Sequence, residues 1–394
     1  WVAAGNGGMD TMAEVATIDQ NSPVDVANFA RENGIDLVVI GPEAPLVEGV
    51  ADAVRSAGIA CFGPDASAAR MEGSKKFMAR AGVPTAAWRS FTEQEPCEEY
   101  VRRLDGPCVV KADGLAAGKG VIVAKDVDEA LAGVRECFSG RFGDAGATVI
   151  VEETLDGPEC SLLALTDGTT LVPLATAQDH KRALDGDKGP NTGGMGVYSP
   201  VPMATPEEHA AMVAIEQRVV DELRAEGITY SGCLYGGFML TKDGPKVLEF
   251  NARFGDPETQ VVLPRMQADL VDVFLACDKG TLSPDMISWD DDWAVSVVLT
   301  SAGYPGSYEK GKAILGIERA EALDGVTVYH AGTAIDANGQ LVTAGGRVLD
   351  VTAVAPTFEE ARRQAYAACD LIDFEGKTMR HDIGAKAVLP RNNG

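Results

Sequence analysis

Two short apolar runs near the start, IDLVVIGP (35–42) and IACF (59–62), each follow a helix-length segment and each run into Gly-Pro. Strands alternating with helices in this way imply parallel β/α units, because a parallel neighbour is reached only by a crossover connection. Helices are expected over 23–34 and 46–57, with 35–42 a buried strand. In open α/β sheets, ligands sit at the carboxyl ends of strands. GPEAPLVEG (41–49) is therefore a candidate binding loop, with a plain turn as the alternative.

Beyond this start the pattern changes. A helix is expected through residues 65–82, ending at Gly82 with Pro84 beyond it. PCVVKAD (107–113) and GVIVAKD (120–126) read as two strands around a glycine-rich segment. A helix over 127–138 and a strand over 148–155 follow. The stretch 161–177 looks like a hairpin turning at Asp167-Gly168, and 180–200 like a long polar loop. Thr205, Pro206 and Glu208 form a helix start: N-cap, first helical residue and capping-box partner. CLYGGFML (233–240) and KVLEFNA (246–252) read as paired strands. From Trp293 on the chain is β-rich, with one helix over 357–368. The 394 residues suit two to three domains. We place them at 1–73, 74–290 and 291–394, the last boundary falling at Asp290, Asp291 and Asp292.

A formal net charge of −25 argues against nucleic acid as the main partner, since phosphate backbones need basic patches. No apolar run reaches the ~18 residues of a membrane helix, and the start carries no basic region ahead of an apolar stretch. The 8 cysteines are scattered with no CxxC pair, which fits reduced thiols in a cytoplasmic enzyme. The 4 histidines are equally dispersed, so a His-rich metal site is not expected.

Three stretches carry chemistry. GLAAGKG (114–120) nearly matches a P-loop, but Gly114 and Gly118 enclose three residues rather than four, and Gly120 stands where Ser or Thr would hold magnesium. Its backbone N–H groups could fold over a triphosphate, with Lys111 as a fixed cation; a simple hairpin turn is the alternative. VLEFNARFGDPETQ (247–260) starts like a core strand, yet Glu249 and Asn251 interrupt it. Two apart on a strand, they leave one face, and a carboxylate with an amide oxygen suits a hard cation. Arg253 shares that face if the strand continues. Glu249 sits among apolar neighbours, where an unpaired carboxylate is costly. Finally, Asp179, His180, Lys181 and Arg182 cluster shortly before Asn191 and Gly193, which a solvated loop also explains. No Ser-His-Asp or Cys-His spacing supports nucleophilic catalysis.

Together these stretches resemble the ATP-grasp ligases and, more narrowly, the glycinamide ribonucleotide synthetases. The resemblance covers GPEAPLVEGV, GSKKFMARAGVPT, VVKADGLAAGKGV, AQDHKR, GPNTGGMGVYSP, LEFNARFGDPETQ, TAGGRVL and HDIG, in the family's order over nearly the whole chain. It implies an N-terminal parallel α/β domain, a two-lobed ATP-grasp core and a C-terminal β-rich domain, an α/β and α+β combination. By the same resemblance Lys75 and Lys111 contact ATP phosphates, and Gly114, Gly118, Lys119 and Gly120 cover the triphosphate. Glu152, Glu153 and Leu155 hold the adenine, with Glu159 near the ribose. Glu249 and Asn251 bind Mg²⁺ or Mn²⁺. Glycine and 5-phosphoribosylamine gather at Gly41, Pro42, Glu43, Asp179, Lys181, Asn191, Gly193 and Arg253, of which Lys111, Asp179 and Arg253 act in catalysis.

The implied chemistry is acyl activation. The glycine carboxylate attacks the γ-phosphate of ATP, and the amine of phosphoribosylamine then displaces phosphate to form the amide. Two departures stand out. Gly157-Pro158-Glu159 replaces the family's GEE, which removes one carboxylate near the ribose. Trp1 aligns with the family's second strand, so the first strand and its glycine-rich loop are missing, the N-terminal domain is incomplete and the chain is expected to be a fragment. Two rival readings are a ligase for another acid and amine, and a catalytically dead ATP-binding module. The expected assembly is a monomer or weak homo-oligomer.

Overall fold

The computed structural model describes residues 1–71, 75–112, 121–140 and 147–387. In the N-terminal region, β1 (Val2–Ala3) and β2 (Val15–Ala16) pair in parallel, as do β3 (Leu37–Val39) and β4 (Ala60–Phe62). Helix α1 (Pro23–Glu32) precedes β3, with the Ser22 hydroxyl accepting from the Asp25 N–H at its start. The strand expected to be buried over 35–42 is half-exposed, with Val39 at 47%. It has β4 on one edge only, and a two-stranded ribbon cannot cover both.

The helix expected over 46–57 is broken in two. α2 (Glu43–Glu48) and α3 (Val50–Ser56) meet at Gly49, whose φ of 90° no regular helix accommodates. Most of GPEAPLVEG is thus helical, Pro45 being tolerated in the first turn. The helix expected through 65–82 is likewise two, α4 (Ala66–Ala69) and α5 (Lys75–Arg80).

The small lobe is an antiparallel sheet of β5 (Trp88–Phe91), β6 (Cys108–Ala112), β7 (Val121–Ala124) and β8 (Val149–Glu153), in the order β5-β8-β6-β7. It packs on α6 (Gln94–Leu104) and α7 (Val127–Phe138) around a core of its own, including Phe91, Val101, Val110, Val134 and Val151.

The large lobe holds β9 (Glu159–Asp167), β10 (Leu171–Pro173), β15 (Ser231–Thr241) and β16 (Gly244–Asn251), ordered β10-β9-β15-β16. Between β10 and β15 come β11 (Gln178–Asp179), the hairpin β12 (Arg182–Leu184) and β13 (Lys188–Asn191), β14 (Gly196–Ser199) and α8 (Pro206–Ala225). The polar stretch expected as a loop is therefore largely strand. The capping box at Thr205 and Glu208 forms as the sequence indicates.

After β16 come α9 (Thr259–Val262), the two-residue ladder of β17 (Met266–Gln267) with β18 (Ser288–Trp289), and α10 (Leu270–Lys279) between them. The C-terminal region adds β19 (Trp293–Ser301), α11 (Ile317–Glu321), β20 (Val326–His330), the ribbon β21 (Thr333–Ile335) with β22 (Leu341–Thr343), β23 (Arg347–Ala355), α12 (Phe358–Leu371) and β24 (Lys377–Thr378). Its main sheet runs β11-β14-β19-β23-β20, so two strands from the middle of the chain belong to the C-terminal layer. One continuous core joins Leu46 and Val50, Leu162 and Phe238, and Val297 and Val351. No described helix is long and apolar enough to cross a membrane.

Candidate active site

Strand β16 forms the floor of the site, and a register shift explains its sequence. Gly237 of β15 pairs with Glu249, but Phe238 pairs with Val247, so Leu248 is an extra residue. The bulge resets the alternation of faces. Val247, Phe250 and Ala252 turn into the core, each at most 1% exposed, while Glu249 keeps 44% of its side chain exposed. The expectation of a Glu249 carboxylate buried in the strand is corrected accordingly. The strand stops at Asn251, yet Arg253 folds back, and its Nη2 donates to Asn251 Oδ1 at 3.2 Å.

The small lobe meets this strand directly. The backbone N–H of Val247 donates to the Pro84 carbonyl at 2.8 Å, and Thr85 Oγ1 donates to the Val247 carbonyl at 2.6 Å. Lys111, at the end of β6, reaches across to the Leu248 carbonyl at 3.4 Å. Glu152 of β8 is 3% exposed and lies between two lysines, 3.1 Å from Lys75 Nζ and 3.0 Å from Lys111 Nζ. Lys75 is itself 3% exposed and also donates to Thr85 Oγ1 at 2.7 Å. Burial pulls the Lys75 ammonium below its usual range; Glu152 opposes that pull and Lys111 adds to it.

Glu152 is thus the counter-ion of the two lysines. Glu153 accepts from the Ala87 N–H at 3.0 Å and from Lys246 at 3.2 Å, and Leu155 is half-buried just past the end of β8. Gly114, Gly118, Lys119 and Gly120 lie outside the described residues.

Lys181 faces β16 from the other side. Its Nζ is 3.6 Å from Glu249 and 3.5 Å from Glu159. Burial opposes its charge, but Glu159 and Glu249 outweigh that and hold the ammonium well above its usual range. Glu249 is held below the ordinary carboxylate range by Lys181, against burial, with Lys111 and Arg253 adding to the effect. Lys181 contacts the Glu249 carboxylate directly, while Lys111 of the small lobe and Arg253 of the turn after β16 meet the same strand at Leu248 and Asn251.

Asp179 lies two residues away along the same segment. Burial, and then Glu258, push its carboxyl well above the usual range, with Lys181 opposing. Glu258 is 2% exposed and accepts from Tyr235 Oη at 2.7 Å and Ser161 Oγ at 3.2 Å. His180 points the opposite way. Its Nε2 accepts from the Gly384 N–H at 3.1 Å, so its Nδ1 carries the proton given to the Gly196 carbonyl, also at 3.1 Å. Burial and the nearby Arg380 lower it to about 4. It is a neutral strut and fixes which way Asp179 and Lys181 face.

The structure therefore brings together Lys75, Lys111, Glu152, Glu159, Asp179, Lys181, Glu249, Asn251 and Arg253. Asn191 and Gly193 follow in and just after β13, opposite Arg182 in the hairpin. Gly41, Pro42 and Glu43 share no hydrogen bond or ion pair with this cluster among the described residues. They leave the end of β3 beside Phe62, whose ring stacks on Phe254 at 5.7 Å. Sequence reasoning missed the Ser161–Tyr235–Glu258 network. Its one signal was Glu258 inside RFGDPETQ; the side-chain partners lie on strands that only tertiary pairing brings close.

Glu249 and Asn251 offer two oxygen donors on one face, and among the described residues no group of three or more His, Cys, Asp or Glu could hold a metal. The donor set fits a divalent cation that keeps water and phosphate oxygens in its shell, rather than one caged by protein.

Three family profiles match the chain: phosphoribosylglycinamide synthetase N domain over 1–72, ATP-grasp (A) domain over 70–259 and C domain over 294–386. A phosphoribosylamine–glycine ligase of Rhizobium meliloti is 48% identical over 393 residues, 98% of this chain and 92% of that protein. The crystal structure of phosphoribosylamine–glycine ligase from Thermotoga maritima superposes with a TM-score of 0.74 at 37% identity, covering 82% of this chain and 81% of that one. The biotin carboxylase domain of Hydrogenobacter thermophilus 2-oxoglutarate carboxylase, in complex with MgADP, shares the fold at 18% identity, with a TM-score of 0.71 over 93% of this chain and 82% of that one.

Proposed function

The chain belongs to the phosphoribosylglycinamide synthetase family, and we propose on that premise that it ligates glycine to 5-phosphoribosylamine in de novo purine synthesis. ATP is consumed, and glycinamide ribonucleotide, ADP and phosphate are formed. The observation that carries this reading is the meeting of three cations along β16: Lys111 at the Leu248 carbonyl, Lys181 at Glu249 and Arg253 at Asn251. It joins the phosphate-binding side of the small lobe to the acceptor side of the large lobe at a single strand.

In this reading Lys75 and Lys111 exchange Glu152 for the ATP phosphates, beneath Gly114, Gly118, Lys119 and Gly120. Glu152, Glu153 and Leu155 border the adenine, and Glu159 the ribose. Glu249 and Asn251 would hold Mg²⁺ or Mn²⁺, which would supply neutralisation of phosphate charge. Arg253 orients the transferring phosphoryl group from the adjacent turn. Asp179 and Lys181, with Asn191, Gly193 and the Gly41, Pro42 and Glu43 segment, position glycine and the amine.

The division at 1–73, 74–290 and 291–394 is supported by the family profiles, which match 1–72, 70–259 and 294–386. Placement in the cytoplasm is supported by eight buried, unpaired cysteines, and lack of nucleic-acid binding by the net charge of −25. We expect a monomer or weak homo-oligomer.

The test is ADP release by the purified protein with Mg-ATP, with glycine and phosphoribosylamine supplied separately and together. Release that needs both supports the ligase. Release driven better by another acid or amine, or indifferent to the amine, overturns it.

A further inference from the structure

Gly193 is gripped at both of its peptide groups by residues far along the chain. Its N–H donates to Tyr304 Oη at 3.1 Å, and its carbonyl accepts from Arg347 Nη1 at 2.7 Å. The same guanidinium reaches the turn after β16: Nη1 also donates to the Asp256 carbonyl at 3.1 Å, and Nη2 to the Asp256 carboxylate at 2.8 Å. Arg347 opens β23, directly after Gly345-Gly346 in the TAGGRVL stretch. A Cβ on Gly346 would sit 2.3 Å from the Tyr304 ring, so glycine lets that ring lie flush beside the strand that carries Arg347.

On the far side of the loop, a Cβ on Gly194 would lie 2.4 Å from Pro257 and 2.8 Å from Asp179 Oδ1. The 191–194 loop is thereby wedged between the clamp and the turn. Arg347 keeps 20% of its side chain exposed, and its donors are aimed at protein acceptors. That geometry suits holding segments at a set separation better than binding a substrate anion.

We propose that Tyr304 and Arg347 are positioning residues that fix the 191–194 loop against the 253–257 turn. They set the geometry in which glycine and phosphoribosylamine are bound, without touching ATP. The proposal rests on the ligase reading above. Its distinguishing mark is selectivity, because among the described residues Lys75, Lys111 and Glu152 share no hydrogen bond or ion pair with the clamp. A strut serving stability alone would lower the amount of folded enzyme and leave every KM unchanged.

The experiment measures KM for ATP, glycine and phosphoribosylamine in the full chain and in Arg347→Ala, Arg347→Lys and Tyr304→Phe, with Tm recorded for each. Arg347→Ala is expected to raise KM for glycine or phosphoribosylamine about 10-fold or more, with KM for ATP within about two-fold. Arg347→Lys should recover part of this, since an ammonium can satisfy some of the acceptors but not the fork. Tyr304→Phe should shift the same constants in the same direction by a few-fold, and it carries the test if Arg347→Ala does not fold. KM values that stay at wild type, or rise equally for all three substrates, overturn the clamp while the ligase reading stands. An unaltered protein that turns over without glycine or the amine overturns both.

Discussion

Replacing Glu152 by Gln removes one negative charge from between two lysines at nearly unchanged shape. Each lysine nitrogen is about 3 Å from a Glu152 oxygen, and Lys75 and Glu152 are both 3% exposed. At an effective dielectric constant near 20, each contact is worth about 5 kcal/mol of Coulomb attraction before desolvation is counted. Breaking a buried pair by deleting one partner typically costs about 3–5 kcal/mol, because the remaining charge is stranded. The variant should therefore lose about that much stability at pH 7, lowering Tm by about 4–6 °C.

The pH dependence of this variant has a definite sign. Burial already holds Lys75 below its usual 10.5, and Glu152 opposes it. Without Glu152 the folded-state pKa falls further. Between that value and 10.5 the unfolded chain binds more protons than the folded one, so stability rises with pH. The deficit should accordingly shrink between pH 7 and pH 10. Mg-ATP, whose phosphates supply the missing negative charge, should raise the variant's Tm more than the wild type's. Differential scanning calorimetry at pH 7 and 10, with and without Mg-ATP, reads all of these. A variant as stable as wild type at pH 7, with the same pH slope, would refute the reasoning.

Three further perturbations have defined outcomes. Glu216 of α8 is fully buried, and burial pushes its carboxyl well above the usual range, the Gly236 amide opposing; its penalty grows as pH rises above the unfolded value near 4.5, so Glu216→Leu should gain about 1–4 kcal/mol at pH 7.5 and less at pH 5 by chemical denaturation. His180 is lowered to about 4, so its contribution is intact above pH 6.5 and is lost as pH falls toward 4; the loss should reach about 3 kcal/mol and be absent in His180→Gln, provided that variant folds. Glu249→Ala should cut turnover about 100-fold or more and weaken the Mg²⁺ dependence of ADP release, with Tm little changed because the side chain is 44% exposed; unchanged turnover would remove Glu249 from the site.

What was legible in the sequence followed from local physics. The capping box at Thr205 and Glu208, the turn after Asp167 and the helix over 127–138 formed as expected, because caps, turn residues and apolar spacing act within a few residues. Local misreadings came from glycine. Gly49 falls inside the helix expected over 46–57, yet its positive φ ends α2 and starts α3. Within the candidate site, residue types could be read but partners could not. Glu249 looked buried because Val247, Leu248 and Phe250 surround it in sequence, and the bulge that turns it outward exists only once β15 is laid alongside β16. Glu152 could be singled out from its stretch, but its pairing with Lys75 and Lys111 spans three separate segments and could not be read from the chain. Arg347 had a recognisable motif but no assigned role, since its acceptors at Gly193 and Asp256 lie 154 and 91 residues away. The site is assembled from contacts of that length, and so its chemistry could be named from the chain while its geometry required the fold.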